Sequence, residues 1–526
     1  LSVPELKVPP SSVRRRFLFS VAANLARAAI SLLAGLLVAR GLGPADYGNL
    51  AYLLGSFWAL RALLDLGSSS AFYTFIAQRH RGRSYYIVYF AWLAFQFVLS
   101  AALVVVLIPD WVVDGFWLGQ SREIIILALL ATFLQNQVWQ TVVQAHEAVR
   151  KTIRIQSGSL AVIAAHLVVV SLMMLEGWLT VRIVLWAIII EYLLATVWLS
   201  ATLRQAHCNL VSDGESCSLR KAFLDYLAYC RPMIVMAVFS FCYEMLDRWL
   251  LQRFGGASQQ GFYQIASQLS TISLLATTSI MNILWKEIAE ANAQGKTERV
   301  IELHRKATRL LISLSAFVSC FLGPWAEELV RMLLGSAYQS AWMALLAMLF
   351  YPIHQAMGQI NATLFMATGQ TGIYMRLGVV GLLVGMPISY VLVAPVYGSV
   401  VPGVELGALG LALKTVGLNV LFTNVQSWFI ARHYGVAFQW RYQVAIIMLL
   451  GGLGYVAHWL VRWGGGELTN ISLLVSLVFA GCVYTLACLL VLIKWPGFFG
   501  MNQAHISIFI AKTLGLFNRN NTPGNK

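Results

Sequence analysis

The feature that most limits this chain is a series of fourteen apolar stretches, each of about 20 residues, which is what a helix needs to cross a hydrocarbon layer of roughly 30 Å. They lie near 17–39, 49–67, 85–108, 123–145, 153–175, 182–203, 227–250, 262–284, 308–325, 340–363, 373–395, 405–430, 442–462 and 470–493. Backbone groups in lipid must find partners within the segment, so these stretches predict helices. Only 11% of the 526 residues are charged and 59% are hydrophobic. Soluble domains carry roughly 25% charged residues, so a soluble multidomain enzyme, a disordered chain and a fibrous chain are all excluded. The expected fold class is an all-α polytopic membrane protein. The first stretch follows Arg14, Arg15 and Arg16, but it is too long for a cleaved signal and has Arg27 at its centre.

Lys and Arg excess marks the inner side of a membrane protein. With the N-terminus inside, 27 of the 37 Lys and Arg fall on inner segments and six on outer loops, leaving Arg27, Arg61, Arg248 and Lys414 within the membrane. Both termini are therefore expected in the cytoplasm. The net charge of +15 becomes a topology signal, and nucleic acid is not an expected partner. The outer loops are short, and the longest inner ones are 204–226 and 286–307. The second reads as an amphipathic surface helix, with Glu298, Glu302, Arg305 and Arg309 at helical spacing. No segment is large enough for a separate catalytic domain, so no enzyme is expected. The seven cysteines have no metal-ligand spacing and read as reduced, small apolar residues; no metal or cofactor is implied.

The chain repeats itself. Arg40-Gly41-Leu42-Gly43 and Tyr47-Gly48 after the first span match Arg253-Phe254-Gly255-Gly256 and Gln260-Gly261 after the seventh, at an offset of 213. Ala145 and Arg154 match Ala367 and Arg376 at an offset of 222. Six spans separate equivalent points, which predicts two like-oriented six-helix bundles, residues 1–205 and 206–435, followed by a helix pair and tail at 436–526. Parallel repeats build transporters whose site lies between the halves.

Leu42-Gly43-Pro44-Ala45-Asp46-Tyr47-Gly48, then Asp65-Leu66-Gly67, resembles the start of bacterial polysaccharide flippases. Leu246-Asp247-Arg248, Gly255-Gly256, Gly261-Phe262-Tyr263, Leu334-Gly335-Ser336-Ala337-Tyr338 and Ala367-Thr368-Gly369-Gln370 continue the likeness in family order. The family is the Wzx-type oligosaccharide-lipid flippases of the multidrug/oligosaccharidyl-lipid/polysaccharide exporter superfamily. The resemblance implies a V-shaped fold of two bundles and alternating access in the bacterial inner membrane. It implies a polyprenyl-diphosphate-linked oligosaccharide as cargo, H+ or Na+ as a coupling ion, and the polysaccharide polymerase machinery as a neighbour. The last two spans are similar to the extra pair of the lipid II flippase branch.

Charged and polar groups at membrane depth usually face a partner or a wet cavity. Arg27 shares a helical stripe with Ser20, Asn24 and Ser31. Its planar donor fork suits a diphosphate, and an interhelical ion pair is the other reading. Arg61 is the second candidate for phosphate, unless it pairs with Asp65 one turn on. Thr132, Asn136, Gln137, Gln140 and Gln144 form one polar stripe, and Gln264, Ser267, Gln268, Thr271, Thr278 and Asn282 another. Amides and hydroxyls both donate and accept, as sugar hydroxyls require; helix–helix hydrogen bonding is the alternative. Glu244 and Arg248 are spaced to pair, leaving Asp247 as the freer acid. Glu191, Asp247 and Lys414 are candidates for ion coupling, while His166 and His354 read as satisfied interior histidines. A multidrug or cation antiporter would want a dominant acidic site instead, and the membrane arginines speak against it.

Overall fold

The computed structural model describes residues 10–78, 81–107, 109–212, 218–274, 284, 287–398, 401–463 and 470–500; for 10–18, 106–107, 203–212 and 470–472 the helical backbone alone is described. Among the described residues the chain is helical and forms no strand. The helices are α1 Pro10–Asp65, α2 Ser68–Gln78, α3 Arg83–Ala102, α4 Asp110–Trp117, α5 Arg122–Phe133, α6 Trp139–Ala148, α7 Thr152–Leu175, α8 Val181–Ser212, α9 Leu219–Cys230, α10 Ile234–Leu250, α11 Gly256–Ser270, α12 Thr297–Leu322, α13 Ala326–Leu334, α14 Trp342–Met348, α15 Tyr351–Ala367, α16 Thr371–Val393, α17 Gly407–Tyr434, α18 Trp440–Trp463 and α19 Asn470–Lys494.

Eleven segments among the described residues are long and apolar enough to cross a membrane. Two of them, Phe19–Asp65 and Leu219–Leu274, are about twice as long as a bilayer requires, and each holds two expected spans. The tenth expected span falls on α14 and α15, which are individually too short to be among the eleven. The protein is a multi-pass membrane protein. Phe90, Phe95, Val168, Leu172, Leu193, Leu194 and Val197 stand exposed on helix faces, an arrangement that water would penalise and lipid accommodates.

By contacts the chain forms two units. The first gathers the described residues of Leu1–Ile265, Leu333–Ala341 and Leu382–Leu411; the second gathers those of Ala266–Met332, Trp342–Gly381 and Ala412–Lys526. In the first unit α1 packs along α7 and α10, and α8 packs on α5 and α7. In the second unit α12 packs on α15 and α18, and α18 on α19. The C-terminal helix pair is thus anchored on α12. Gly454 makes this possible, because a Cβ there would lie 2.4 Å from the Cys320 carbonyl oxygen.

The amphipathic segment expected at 286–307 is not a free surface helix. A turn at Gly295, with φ +69, separates residues 287–293 from α12, which runs unbroken from Thr297 to Leu322. Glu302 accepts from Lys306 at 2.5 Å and from Arg299 at 3.0 Å. Arg309 instead reaches the Gln439 amide oxygen and the Gly497 carbonyl, each at 3.1 Å. Cys230, Cys242, Cys320, Cys482 and Cys488 are free thiols; Cys208 and Cys217 lie outside the described side chains.

Candidate functional site

The first unit holds an open cavity of about 600 Å³. Arg27, Tyr47, Gly55 and Trp58 of α1 line it, with Asn136, Trp139 and Gln140 opposite, and with Tyr192 of α8, Arg248 of α10 and Gln264 of α11. Two guanidinium groups, the four side-chain amides of Gln135, Asn136, Gln140 and Gln264, and several aromatic rings therefore face one space. No Asp or Glu is among its described lining residues. Arg27 is oriented by Asn24, whose amide oxygen accepts from Nη2 at 2.6 Å. Arg248 lies flat across α1 at Gly55, where a Cβ would sit 2.1 Å from Nη1 and 2.5 Å from Cζ. A side chain at 55 would occupy the guanidinium's place. Such a recess can take an anion by paired N–H donors and a polyol by its amides and ring faces.

The polar stripe expected on one face from Thr132 to Gln144 is divided. Residues Leu134–Val138 form a π-helical turn, and a wide turn shifts the phase of the side chains that follow. Asn136 and Gln140 line the large cavity. Thr132 and Gln137 line a second, much smaller recess with Gln96, Ser100 and Arg61. There Gln137 Nε2 donates to Gln96 Oε1 at 2.7 Å. Gln144 keeps its amide oxygen enclosed without a partner.

Arg61 therefore lines a different recess from Arg27, and its guanidinium stacks 5.0 Å from the Trp58 ring centre. Asp65 stays within electrostatic reach of Arg61, yet both its oxygens are engaged at the start of α2. Oδ1 accepts from Ser68 Oγ at 2.8 Å and Ser69 N at 3.1 Å, and Oδ2 from Ser69 Oγ at 2.8 Å. It acts as a helix cap. Asp247 is not the freer acid of its pair: Ser389 Oγ donates to it at 2.5 Å. Arg248 faces the cavity, with Glu244 still within electrostatic reach.

Glu191 accepts from His166 Nδ1 at 2.7 Å. Lys414, in the second unit, is 2% exposed. His354, in the same unit, bonds to the Gln443 side chain, while its Nδ1 is enclosed without a partner. Gln268 is half-buried in the second unit; Asn282 and Thr278 lie outside the described residues. The sequence pairs Arg248 with Glu244 by spacing and does not single out Trp58, Trp139 or Tyr192; Tyr47 stands out there only as part of a turn motif. Hydropathy gives an aromatic ring in lipid and one in a cavity the same signal.

The internal repeat is built into the backbone. Gly43 has φ 75 and ψ 170, and Gly256 has φ 81 and ψ 174; only glycine adopts such angles without strain. The two turns also meet. A Cβ on Gly48 would lie 1.8 Å from the Ala257 carbonyl oxygen, and one on Gly261 would lie 2.2 Å from the Pro44 carbonyl oxygen. Pro44 and Ala257, like Gly48 and Gly261, are 213 residues apart, so each repeat presents the same carbonyl to the other's glycine. Gln252 Nε2 donates to Asn49 Oδ1 at 2.9 Å beside this contact. Tyr47, Leu50 and Ala51 line the large cavity, so the glycine clasp stands at its edge.

Comparison with known proteins agrees with this architecture. The family described as polysaccharide biosynthesis protein matches residues 13–284, and MatE matches residues 232–391. The amylovoran biosynthesis protein AmsL of Erwinia amylovora is 25% identical over 230 residues, covering 41% of this chain and 56% of that protein. The chain thus aligns with about half the length of this curated relative. Among solved structures, a lipid II flippase, MurJ, in an inward closed conformation superposes with a TM-score of 0.65 at 14% identity, covering 90% of this chain and 98% of that one. A MOP superfamily transporter from Pyrococcus furiosus gives 0.54 at 15% identity, covering 80% and 95%. An outward-facing multidrug resistance MATE family transporter gives 0.53 at 14% identity, with the same coverage. The chain belongs to the polysaccharide biosynthesis protein family and has the fold of solved proteins of the MOP superfamily.

Proposed function

We propose that this protein flips a polyprenyl-diphosphate-linked oligosaccharide across the bacterial inner membrane, by alternating access, for assembly of a surface polysaccharide. The observation that carries the reading is the cavity that joins Arg27 and Arg248 to amides and aromatic rings, with no carboxylate among its described lining residues. Two guanidinium forks match the oxygens of a diphosphate. The amides of Asn136, Gln140 and Gln264 suit sugar hydroxyls, which both donate and accept. A cationic drug would find repulsion there. The family description and the amylovoran relative support a polysaccharide setting.

On this reading both termini are cytoplasmic, and residues 1–205 and 206–435 are the two bundles that rock. The glycine clasp closes the outer end, and the polyprenyl tail stays in lipid outside the cavity. The test is made in cells. Arg27→Ala and Arg248→Ala should each leave a folded protein at normal level, stop polysaccharide export, and trap lipid-linked repeat units on the inner leaflet. Normal polysaccharide in both variants would reject the cavity as the cargo site. An unchanged lipid-linked pool in cells lacking the protein would reject the flippase reading itself.

A further inference from the structure

Apart from the large cavity, the first unit carries an apolar groove of about 470 Å³ between α3 and α9. Its floor is Tyr89, Tyr226 and Cys230, all buried, and its rim is Phe95, Phe223 and Leu227, each half exposed. The floor behaves as hydrocarbon because its hydroxyls are already engaged. Tyr89 Oη shares a hydrogen bond with Thr141 Oγ1 at 2.9 Å, and Tyr226 Oη donates to the Tyr85 carbonyl oxygen at 3.4 Å. Asp65 and Ser68, which also line the groove, are bonded to each other at 2.8 Å. Just past Cys230 the turn Arg231–Met233 ends α9, and Met233 packs against Gly67, next to the lining residue Leu66.

The groove is basic at one end. α3 and α9 run in the same direction: Tyr85 donates to Asp225, Tyr89 stacks on Tyr226 at 6.4 Å, and the lining continues to Phe95 and Cys230. Both helices therefore start at the same end of the groove. There α3 opens with Arg83 and α9 with Arg220 and Lys221, all three exposed, and neither first turn holds an acid. Arg220, Phe223, Leu227 and Cys230 fall on one stripe of α9, so a cation leads into the apolar wall. Asp225 is taken by Tyr85, whose hydroxyl also accepts from Arg81 Nη1 at 2.9 Å; Asp213 and Glu215 lie outside the described residues. From Arg220 to Cys230 the helix rises about 15 Å, half of a hydrocarbon core of roughly 30 Å. The groove is therefore as deep as one leaflet.

We infer that this groove binds one anionic phospholipid of the bilayer, from the leaflet in which α3 and α9 begin. An acyl chain lies along Tyr89 and Tyr226, and the phosphate sits beside Arg220, Lys221 and Arg83. A hydrocarbon chain gains little by leaving lipid for an apolar wall, because lipid tails are as apolar as leucine. Selectivity therefore lies in the headgroup. Each basic side chain near the membrane surface favours an anionic lipid by about fivefold, and the phosphate also meets the positive ends of two helices. A partner helix laid in the groove would have to strip water from Arg220 and Lys221, a cost that a lipid phosphate at the water boundary avoids. A lipid bound in this way fastens α9 to α3 and stabilises the folded protein by mass action.

The test uses the full-length protein in nanodiscs of phosphatidylcholine, with a phosphatidylglycerol carrying a photoreactive group at mid-chain as the probe. Crosslinks are mapped by peptide mass spectrometry. They should concentrate on Tyr89–Phe95 of α3 and Phe223–Cys230 of α9, and be displaced by unlabelled phosphatidylglycerol but not by phosphatidylcholine. Arg220→Gln and Lys221→Gln should each weaken the labelling about fivefold. Ala91→Trp, which puts an indole into the groove, should abolish it. Should Ala91→Trp fail to fold, the variants at the exposed Arg220 and Lys221 carry the comparison. Equal labelling by the same group on phosphatidylcholine, or crosslinks spread evenly over the lipid-facing helices, overturns the inference and makes the groove ordinary lipid-facing surface. Displacement by a polyprenyl diphosphate and not by phosphatidylglycerol also overturns it and makes the groove a seat for the cargo tail.

Discussion

The glycine clasp offers a direct test of the proposed closing of the cavity on its outer side. Replacing Gly48 by alanine puts a methyl carbon 1.8 Å from the Ala257 carbonyl oxygen, where contacts below 3.0 Å are essentially never seen. The two turns must part by more than an ångström, and the obstacle is backbone, which cannot rotate away. Overpacking of this kind costs about 1–3 kcal/mol, equivalent to roughly a 5- to 150-fold change in the closed population. Alanine also favours the helical state by up to about 1 kcal/mol over glycine, so overall thermal stability is a poor readout and accessibility is the diagnostic one. In a cysteine-free background, a cysteine at Gln140 reports the cavity to a membrane-impermeant maleimide added outside. Gly48→Ala should raise its labelling rate several-fold or more, and Gly261→Ala should do the same. The double variant should add little to either single one, since the first methyl has already parted the turns; a coupling of about 1–3 kcal/mol is the expected size for groups in contact. Gly417→Ala, where a Cβ meets nothing within 4 Å, should be silent. Unchanged labelling in a folded Gly48→Ala protein, or strict additivity in the double variant, would refute the clasp as a gate.

Other outcomes follow from the same geometry. Gly55→Ala should displace the Arg248 guanidinium, a flexible side-chain end, and weaken pyrophosphate binding by about 1.5–3 kcal/mol, the worth of a hydrogen bond to a charged group, with little change in melting temperature; unaltered affinity would disprove the packing of Arg248 on α1. Arg248→Lys should not restore that affinity, because an ammonium cannot present a planar fork; calorimetry on both variants decides it. Gln137→Leu should cost about 1–3 kcal/mol in thermal unfolding by leaving the Gln96 amide unpaired, and adding Gln96→Leu should recover part of it. Gly454→Ala should lower stability by about 1–3 kcal/mol by forcing α18 away from α12 while leaving pyrophosphate binding intact.

The helical class and the rough position of most membrane helices were legible in the sequence, because a bilayer leaves an apolar run of fixed length few alternatives. The glycine repeat was legible for a related reason. A turn at positive φ demands glycine, so Gly43 and Gly256 mark equivalent points without any structure. Arg27 could be singled out because charge at membrane depth is rare. The partners of these groups were not legible, since contact between α1 and α10 depends on packing between residues some two hundred positions apart. That packing laid Arg248 on α1 at Gly55, beside the cavity that Arg27 lines, and contact with α16 gave Asp247 to Ser389; Asp65 bonds Ser68 and Ser69, three and four positions on, a local capping that the spacing with Arg61 did not suggest. A single π-helical turn at Leu134–Val138 divided one polar stripe between two recesses, a change of phase that periodicity arguments assume away.

By itself, then, the sequence determined the solvent, the helical class and the repeat, all set by local composition and backbone constraints. The tertiary structure decided which arginine shares a cavity with which, that His166 meets Glu191, and that Gly48 and Gly261 close on each other's repeat. Those are distances between segments remote in the chain, and they exist only once the helices have packed.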